Sequence, residues 1–237
     1  MQQMFNTDAT AAIHSESFIQ WVMENNFADV VPDFSLAGVE VVDDVHPYEE
    51  AKIRILNGGH TGLAYLGVLA GHTTYDQAIQ DPHLRQHFDN FQQQEVLPAL
   101  TQALPFDKQQ YLDVIASRFS NQAIADNLER ICMDGYSKMQ IFIRPTLLGC
   151  YEQGIVSEHT LLSIASWYVY ARRIHQGKLE TNYNEPQWKK MLPLLEAGGE
   201  TAFATSRELW SHLPRTFKSF EPDLLAAIDK TEKTWPQ

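Results

Sequence analysis

The fold is decided by residues 47–69, which read PYEEAKIRILNGGHTGLAYLGVL. Pro47 suits the first turn of a helix, where its missing N–H is not needed. Apolar residues then recur at helical spacing, at Ile53, Leu56, Leu63, Leu66 and Leu69. This pattern predicts one long helix, and the adjacent Gly58 and Gly59 predict a kink within it.

Most of the remaining chain also has helical periodicity. Further helices are predicted over 74–81, 82–104 with a bend near Pro98, 107–119, 121–133, 137–153 with a bend at Pro145, 157–177, 186–197, 200–212 and 222–230. The one convincing strand is 39–45, VEVVDDV. It must pair either with an unidentified stretch of this chain or with a sheet in another polypeptide. We therefore expect an all-α fold, with many helices and at most one or two short strands.

Composition narrows the class of protein. The chain has 237 residues and a formal net charge of −12, which argues against a nucleic-acid partner. It has no basic, apolar leader and no long apolar run, so we expect neither a signal peptide nor a membrane span. Cys132 and Cys150 lie in apolar helical patterns, which predicts buried, reduced thiols in a cytoplasmic protein.

We divide the chain into a flexible segment, 1–15, and one helical domain, 16–237.

Lys52, Asn57 and His60 form the first candidate site. A lysine can take a proton from an alcohol when burial or a nearby cation favours its neutral amine. An asparagine amide can donate to the resulting oxyanion, and a histidine can bind a hydroxyl through either ring nitrogen. Each residue also has an ordinary structural explanation: a surface lysine, a turn before two glycines and a partly buried histidine. Spacing by itself leaves both interpretations open.

Arg130 and Lys138 form the second candidate site, on either side of the Asp134-Gly135 break between two predicted helices. A guanidinium can bind two hydroxyls or a carboxylate at once, and an ammonium can do so as a point charge. Both cations could equally be solvated helix ends, with Asp134 as a structural ion-pair partner. The nine histidines are scattered along the chain, and no metal is expected.

The run Lys52-Ile-Arg-Ile-Leu-Asn57-Gly-Gly-His60 resembles the signature of the polyol-specific long-chain dehydrogenases, the mannitol 2-dehydrogenase family. The approach to it, 16–24 and 42–45, and the residues around Asp134-Gly135 also look like that family. The resemblance covers about 16–154, and its 134–154 part looks closest to D-arabinitol 4-dehydrogenases. It implies that the chain corresponds to the C-terminal, mostly helical domain of such an enzyme.

The resemblance implies a role for each candidate residue. Lys52 would be the general base, and Asn57 would donate to the developing alkoxide. His60, Arg130 and Lys138 would bind neighbouring hydroxyls of an open-chain polyol or its ketose. The cofactor would be NAD or NADP, without a metal. Because no Gly-x-Gly-x-x-Gly follows a strand-like run here, the Rossmann domain that binds the dinucleotide is expected to be missing from this chain.

Two classes of function follow from these expectations. In the first, the chain is the substrate-binding and catalytic half of an NAD(P)-dependent polyol dehydrogenase, completed by a separate Rossmann-domain partner. In the second, it is a non-catalytic helical domain that binds a sugar-like ligand or a protein. The first predicts an apolar docking surface around Phe18, Trp21, Val22 and 39–45, covered by that partner or by self-association. It also predicts that Lys52 is partly buried and close to Arg130 or Lys138.

Overall fold

The computed structural model describes Glu16 and residues 18–235. The segment 1–15, for which we expected flexibility, lies outside the described residues. The described elements are strands β1 (Val22–Glu24) and β2 (Glu40–Val42); α-helices α1 (His46–Ala51), α2 (Gly58–Leu69), α3 (Tyr75–Gln80), α4 (Pro82–Asn90), α5 (Lys108–Phe119), α6 (Leu128–Cys132), α7 (Gly135–Lys138), α8 (Arg144–Gln153), α9 (Glu158–His175), α10 (Trp188–Leu195), α11 (Gly199–Ala204), α12 (Arg207–Trp210), α13 (Leu213–Thr216) and α14 (Phe220–Thr234); π-helices π1 (Lys52–Asn57), π2 (Phe91–Val96) and π3 (Met139–Ile143); and a 3₁₀-helix (Phe34–Ala37).

The predicted fold class is confirmed, because the described chain is mostly helical with two short strands. The strand expected within 39–45 forms as β2 and pairs in parallel with β1, with Val22 opposite Glu40. The first of the two expected alternatives is therefore correct, since β2 finds its partner within this chain.

Several helices differ from the sequence prediction. The helix predicted over 121–133 begins only at Leu128, because the preceding segment turns through Ala125 at a φ of 44°. The helix predicted over 82–104 ends at Val96, after a π-helical turn rather than a bend at Pro98. The helix predicted over 200–212 is divided into α11 and α12, with Ser206 as the N-cap of α12.

The decisive stretch, 46–69, runs as α1, π1 and α2 without a break. The expected kink at Gly58 and Gly59 does not form, since Gly58 keeps helical backbone angles and donates to the carbonyl of Ile53, five residues back. The wider π-turn before Gly58 replaces the kink. Gln92, from π2, donates to the carbonyl of Ile55 at 2.9 Å and so provides this turn with a long-range hydrogen bond.

Helix α9 forms the centre of the core and packs against α2 and α14. Its Trp167, Tyr168 and Tyr170 are fully buried, so this aromatic stretch belongs to the core. Cys132 and Cys150 are buried free thiols, as expected, and burial raises the pKa of Cys150 to about 12. Among the described helices, none combines the length and apolar character required to span a bilayer.

Helix α2 packs closely against its neighbours at its glycines. A Cβ added to Gly59 would lie 2.4 Å from the Gln92 Nε2 atom, and one added to Gly62 would lie 3.1 Å from the Ser163 Oγ atom. A Cβ at Gly58 would lie 3.1 Å from the carbonyl oxygen of Phe142 in π3. These close contacts hold the start of α2 against π2, π3 and α9. They therefore also fix the positions of the side chains on the side of α2 that faces away from these elements.

Candidate functional site

Lys52, Asn57 and His60 lie on one continuous helix, and we call the side of it that carries them the candidate face. With α-helical steps of about 100° per residue, Asn57 would lie about 140° around the axis from Lys52. In the π-helix 52–57 each hydrogen bond spans one more residue than in an α-helix, so each residue advances by a smaller angle. The angle between Lys52 and Asn57 around the helix axis is therefore smaller. Three further α-helical steps then return His60 towards the side of Lys52. π-turns of this kind occur often at functional sites.

His60 lies in an aromatic enclosure at the end of this face. Its ring stacks on Phe119, with centroids 5.0 Å apart and planes at 14°, and meets Tyr75 edge-on at 4.5 Å. Tyr75 is itself fixed, because its hydroxyl donates to the Gly59 carbonyl at 2.9 Å. The His60 side chain retains 23% exposure. Burial lowers its pKa to about 4, so the imidazole is neutral at pH 7.

Charged groups surround His60. Asp126 lies 3.9 Å from the His60 Nε2 atom and raises its pKa, whereas the charges of Arg130, Lys138 and Arg118 lower it. Asp126 links Arg130 to His60, because it pairs with the Arg130 guanidinium and lies beside the imidazole. Arg130 and Lys138 follow His60 by 70 and 78 positions of sequence.

Arg130 and Lys138 are held in different ways. Arg130 is largely exposed, and its Nε atom donates to Asp126 at 2.8 Å, four residues earlier. Lys138 is half-buried and donates from Nζ to the Ile131 carbonyl at 2.7 Å. Burial lowers the pKa of Lys138, and the Arg130 charge acts in the same direction. The expected turn at Asp134-Gly135 brings Lys138 back towards Arg130, with Asp134 in the left-handed region at a φ of 56°.

Lys52 differs from the expectation. Its side chain is exposed, so the prediction that Lys52 is partly buried is wrong for this chain. Within the described residues it has no hydrogen-bond or ion-pair partner, and the Asn57 amide likewise makes no side-chain hydrogen bond there. The structure therefore joins His60, Arg130 and Lys138 into one cluster. Lys52 and Asn57 are linked to that cluster by the helix that carries all three residues of the candidate face.

Sequence reasoning missed four residues beside His60, namely Tyr75, Arg118, Phe119 and Asp126. With Glu16 and Leu56 they contribute to a cavity of about 140 Å³ next to the imidazole. Glu16 forms an ion pair with Arg118 at 2.8 Å, and Phe18 lies under the same guanidinium at 4.3 Å. The i, i+4 spacing of Asp126 and Arg130 was the one signal in the sequence that could have identified Asp126. The part of the chain that the structure describes contains no group of three metal-ligating side chains.

Comparison with known proteins identifies the family. Residues 44–214 match the family model of the mannitol dehydrogenase C-terminal domain. The chain therefore belongs to this family of polyol dehydrogenase C-terminal domains, as the resemblance predicted. It is 39% identical over 178 residues to a D-arabinitol 4-dehydrogenase of Klebsiella pneumoniae, covering 75% of this chain and 39% of that protein. It is 33% identical to a mannitol 2-dehydrogenase of Pyrenophora tritici-repentis, covering 97% of this chain and 41% of that protein.

A solved structure shows the same fold. The mannitol 2-dehydrogenase of Pseudomonas fluorescens, in ternary complex with NAD and D-mannitol, superposes with a TM-score of 0.80 at 31% identity. The match covers 92% of this chain and 44% of that structure. The chain thus spans less than half the length of these relatives.

Proposed function

We propose that this chain is the substrate-binding and catalytic half of an NAD(P)-dependent polyol dehydrogenase. The substrate would be an open-chain polyol such as D-arabinitol or mannitol, oxidised to its ketose. The observation that carries the proposal is the cluster of His60, Arg130 and Lys138 at the continuous helix 46–69, which also carries Lys52 and Asn57. Membership of the mannitol dehydrogenase C-terminal family supports the same reaction.

In this proposal Lys52 removes the proton from the reacting hydroxyl as its neutral amine. Asn57 donates its amide N–H to the alkoxide that develops on the same oxygen. A dinucleotide held outside this chain would supply the two-electron hydride acceptor. As Lys52 takes the hydroxyl proton, one O–H and one C–H bond of the carbinol would break and a carbonyl would form, and the proton would then pass from Lys52 to water.

His60, Arg130 and Lys138 bind the hydroxyls that do not react. His60 is neutral at pH 7, so its ring can donate one hydrogen bond and accept another, which matches a polyol hydroxyl. Arg130 and Lys138 add donors only, and they attract the oxygen lone pairs of neighbouring hydroxyls. The three side chains would therefore hold the polyol chain in one register over the candidate face.

The described residues do not fit the pyrophosphate of a dinucleotide. Strand β1 is followed by Asn25-Asn26 and strand β2 by the acidic pair Asp43-Asp44, and neither is a glycine-rich turn into a helix N-terminus. We therefore propose that a Rossmann-type domain outside this chain holds the dinucleotide. Its docking would desolvate the exposed Lys52 amine and so favour the neutral form that a base requires.

The β1–β2 sheet offers a docking surface for that domain. Two strands paired in parallel are rare as a free-standing sheet, because parallel strands normally belong to larger sheets covered by helices. Apolar side chains around this sheet are exposed, with Ile19 at 82%, Trp21 at 58% and Val41 at 39%. Addition of these strands to a parallel sheet would cover both the open backbone edges and this apolar surface.

The test is reconstitution with the excised Rossmann domain of a mannitol 2-dehydrogenase. We expect the chain by itself to show neither NAD(P) binding by calorimetry nor oxidation of D-arabinitol or mannitol. Addition of the domain should produce turnover, and Val41→Asp, on the docking surface, should weaken the complex. Trp188→Phe provides a control, because Trp188 lies outside the docking surface.

Two results would contradict the proposal. Turnover of either polyol by the chain alone would remove the need for a separate cofactor domain. A stable complex that binds NAD(P) but oxidises neither these polyols nor D-sorbitol would favour the non-catalytic alternative, a helical domain that binds a sugar-like ligand.

A further inference from the structure

The carboxylate of Asp126 lies between two of the proposed hydroxyl-binding groups. It accepts from the Arg130 Nε atom at 2.8 Å and also contacts the Arg130 Nη2 atom. Its Oδ2 atom is 3.9 Å from the His60 Nε2 atom. Arg130 Nη1 has no hydrogen-bond partner among the described residues. One edge of the guanidinium is thus held by Asp126, and another nitrogen is left for a ligand.

The backbone of Asp126 is fixed on both sides. Its carbonyl accepts from the backbone N–H of Tyr75 at 2.8 Å, and Tyr75 packs edge-on against His60. The next residue, Asn127, forms an isolated antiparallel bridge with Thr74 and caps helix α6 through its side chain. Asp126 therefore has a defined position relative to His60, and its side chain is only 25% exposed.

Arg130 depends on this contact for its orientation. Its side chain is 65% exposed, and no described residue other than Asp126 accepts a side-chain hydrogen bond from it. A long, exposed arginine otherwise samples many rotamers, and a ligand must order it upon binding. A bidentate carboxylate removes much of that freedom in advance.

We infer that Asp126 is a positioning residue that orients the Arg130 guanidinium beside His60 for a polyol hydroxyl. The inference rests on the proposed function for the identity of the ligand, but the geometry of the three side chains does not depend on it. Asp126 is also the one carboxylate among the described charged groups that act on His60, and it opposes Arg130, Lys138 and Arg118. Removing the Asp126 carboxylate should therefore change both the orientation of Arg130 and the pKa of His60.

The first experiment uses this chain by itself. Asp126→Asn keeps the shape of the side chain but removes its charge, and NMR follows the Arg130 Nε–H and the His60 ring. We expect hydrogen exchange at Arg130 Nε–H to accelerate about tenfold, as the loss of a charge-assisted hydrogen bond implies. His60 should titrate at lower pH than in the wild-type chain, because the opposing carboxylate is gone. Unchanged Arg130 exchange and His60 titration would overturn the inference.

Asp89→Asn is the matched control. Asp89 forms the same kind of i, i+4 pair with Arg85, through Nε at 2.9 Å, on the surface of α4. This variant should alter Arg85 exchange and leave Arg130 and His60 as they are. If Asp89→Asn lowers the pH at which His60 titrates as much as Asp126→Asn does, the effect comes from net charge and not from the position of Asp126. That result would also overturn the inference.

The second experiment uses the reconstituted enzyme. Asp126→Asn should raise KM for the polyol about tenfold with little change in kcat, since it acts on binding through Arg130. In an Arg130→Ala background the same change should have almost no further effect on KM. Additive losses would show that Asp126 does not act through Arg130. Should the wild-type complex oxidise no polyol, the proposed function fails, and the NMR measurements still decide the role of Asp126.

Discussion

At the scale of single residues, Lys52 and Arg130 act at different stages of the proposed reaction, so their removal should change different constants. Lys52→Ala removes a base that acts only as the hydroxyl loses its proton. In the reconstituted enzyme we expect kcat to fall by about 10²–10⁴ with a small change in KM. Steady-state kinetics at pH 7 measures both constants. The exposed Lys178→Ala, in the loop after α9, is the control and should leave them unchanged.

Arg130→Ala should instead raise KM more than it lowers kcat. Its guanidinium binds the polyol before and during the reaction alike, so its contribution is to binding in both states. Polyol concentration series with the reconstituted enzyme separate the two constants. Loss of kcat at unchanged KM would show that Arg130 acts only in the transition state, contrary to the proposed role.

At the scale of elements, the π-turn 52–57 depends on a side chain from another helix. The Gln92 Nε2 atom is buried and donates to the Ile55 carbonyl inside that turn. Gln92→Leu would leave this carbonyl without its long-range donor and should destabilise the chain by about 1–3 kcal/mol. The turn that aligns Lys52 with Asn57 and His60 would also weaken, so kcat of the reconstituted enzyme should fall.

Gln93→Leu is the neighbouring control for this prediction. The Gln93 side chain donates to Gln109 at 2.8 Å on the surface, away from the π-turn. Urea unfolding of the two variants should therefore differ, with a clear loss for Gln92→Leu and little for Gln93→Leu. Equal stabilities of the two variants would mean that the hydrogen bond to Ile55 does not support the turn.

At the scale of the whole molecule, buried neutral histidines make stability depend on pH. Burial lowers the pKa of His87 to about 3 and that of His60 to about 4. Both values lie below the ordinary histidine pKa near 6.5. Between pH 6.5 and the folded pKa values, the unfolded chain therefore binds more protons than the folded chain. Stability is then full above about pH 6.5 and falls as the pH drops towards 4. Each histidine should contribute a loss of about 2 kcal/mol between pH 7 and pH 5.

Urea unfolding at pH 7 and pH 5 tests this prediction. His87→Gln removes one titrating ring and preserves a partner for Ser163, which lies 3.2 Å from the His87 Nε2 atom. Between pH 7 and pH 5, the free energy of unfolding of His87→Gln should fall by about 2 kcal/mol less than that of the wild-type chain. His83→Gln, an exposed histidine at the start of α4, is the control. The prediction fails if both variants keep the wild-type pH dependence.

The sequence by itself determined the helical class and the presence of a strand within 39–45, because both follow from local periodicity. The five candidate residues come from two short runs, 52–60 and 130–138, each nine positions long. The turn at Asp134-Gly135 was also predictable, because left-handed backbone favours aspartate and glycine.

Only the tertiary structure decided how these parts meet. The π-turn depends on Gln92, 37 positions away from Ile55, and the His60 enclosure combines Tyr75, Phe119 and Asp126 from three separate segments. Such contacts depend on packing and not on spacing along the chain, so no periodicity reveals them. The exposure of Lys52 was mispredicted for the same reason. Whether a residue is buried depends on which other segments pack over it, and Lys52 lies on an exposed side of its helix.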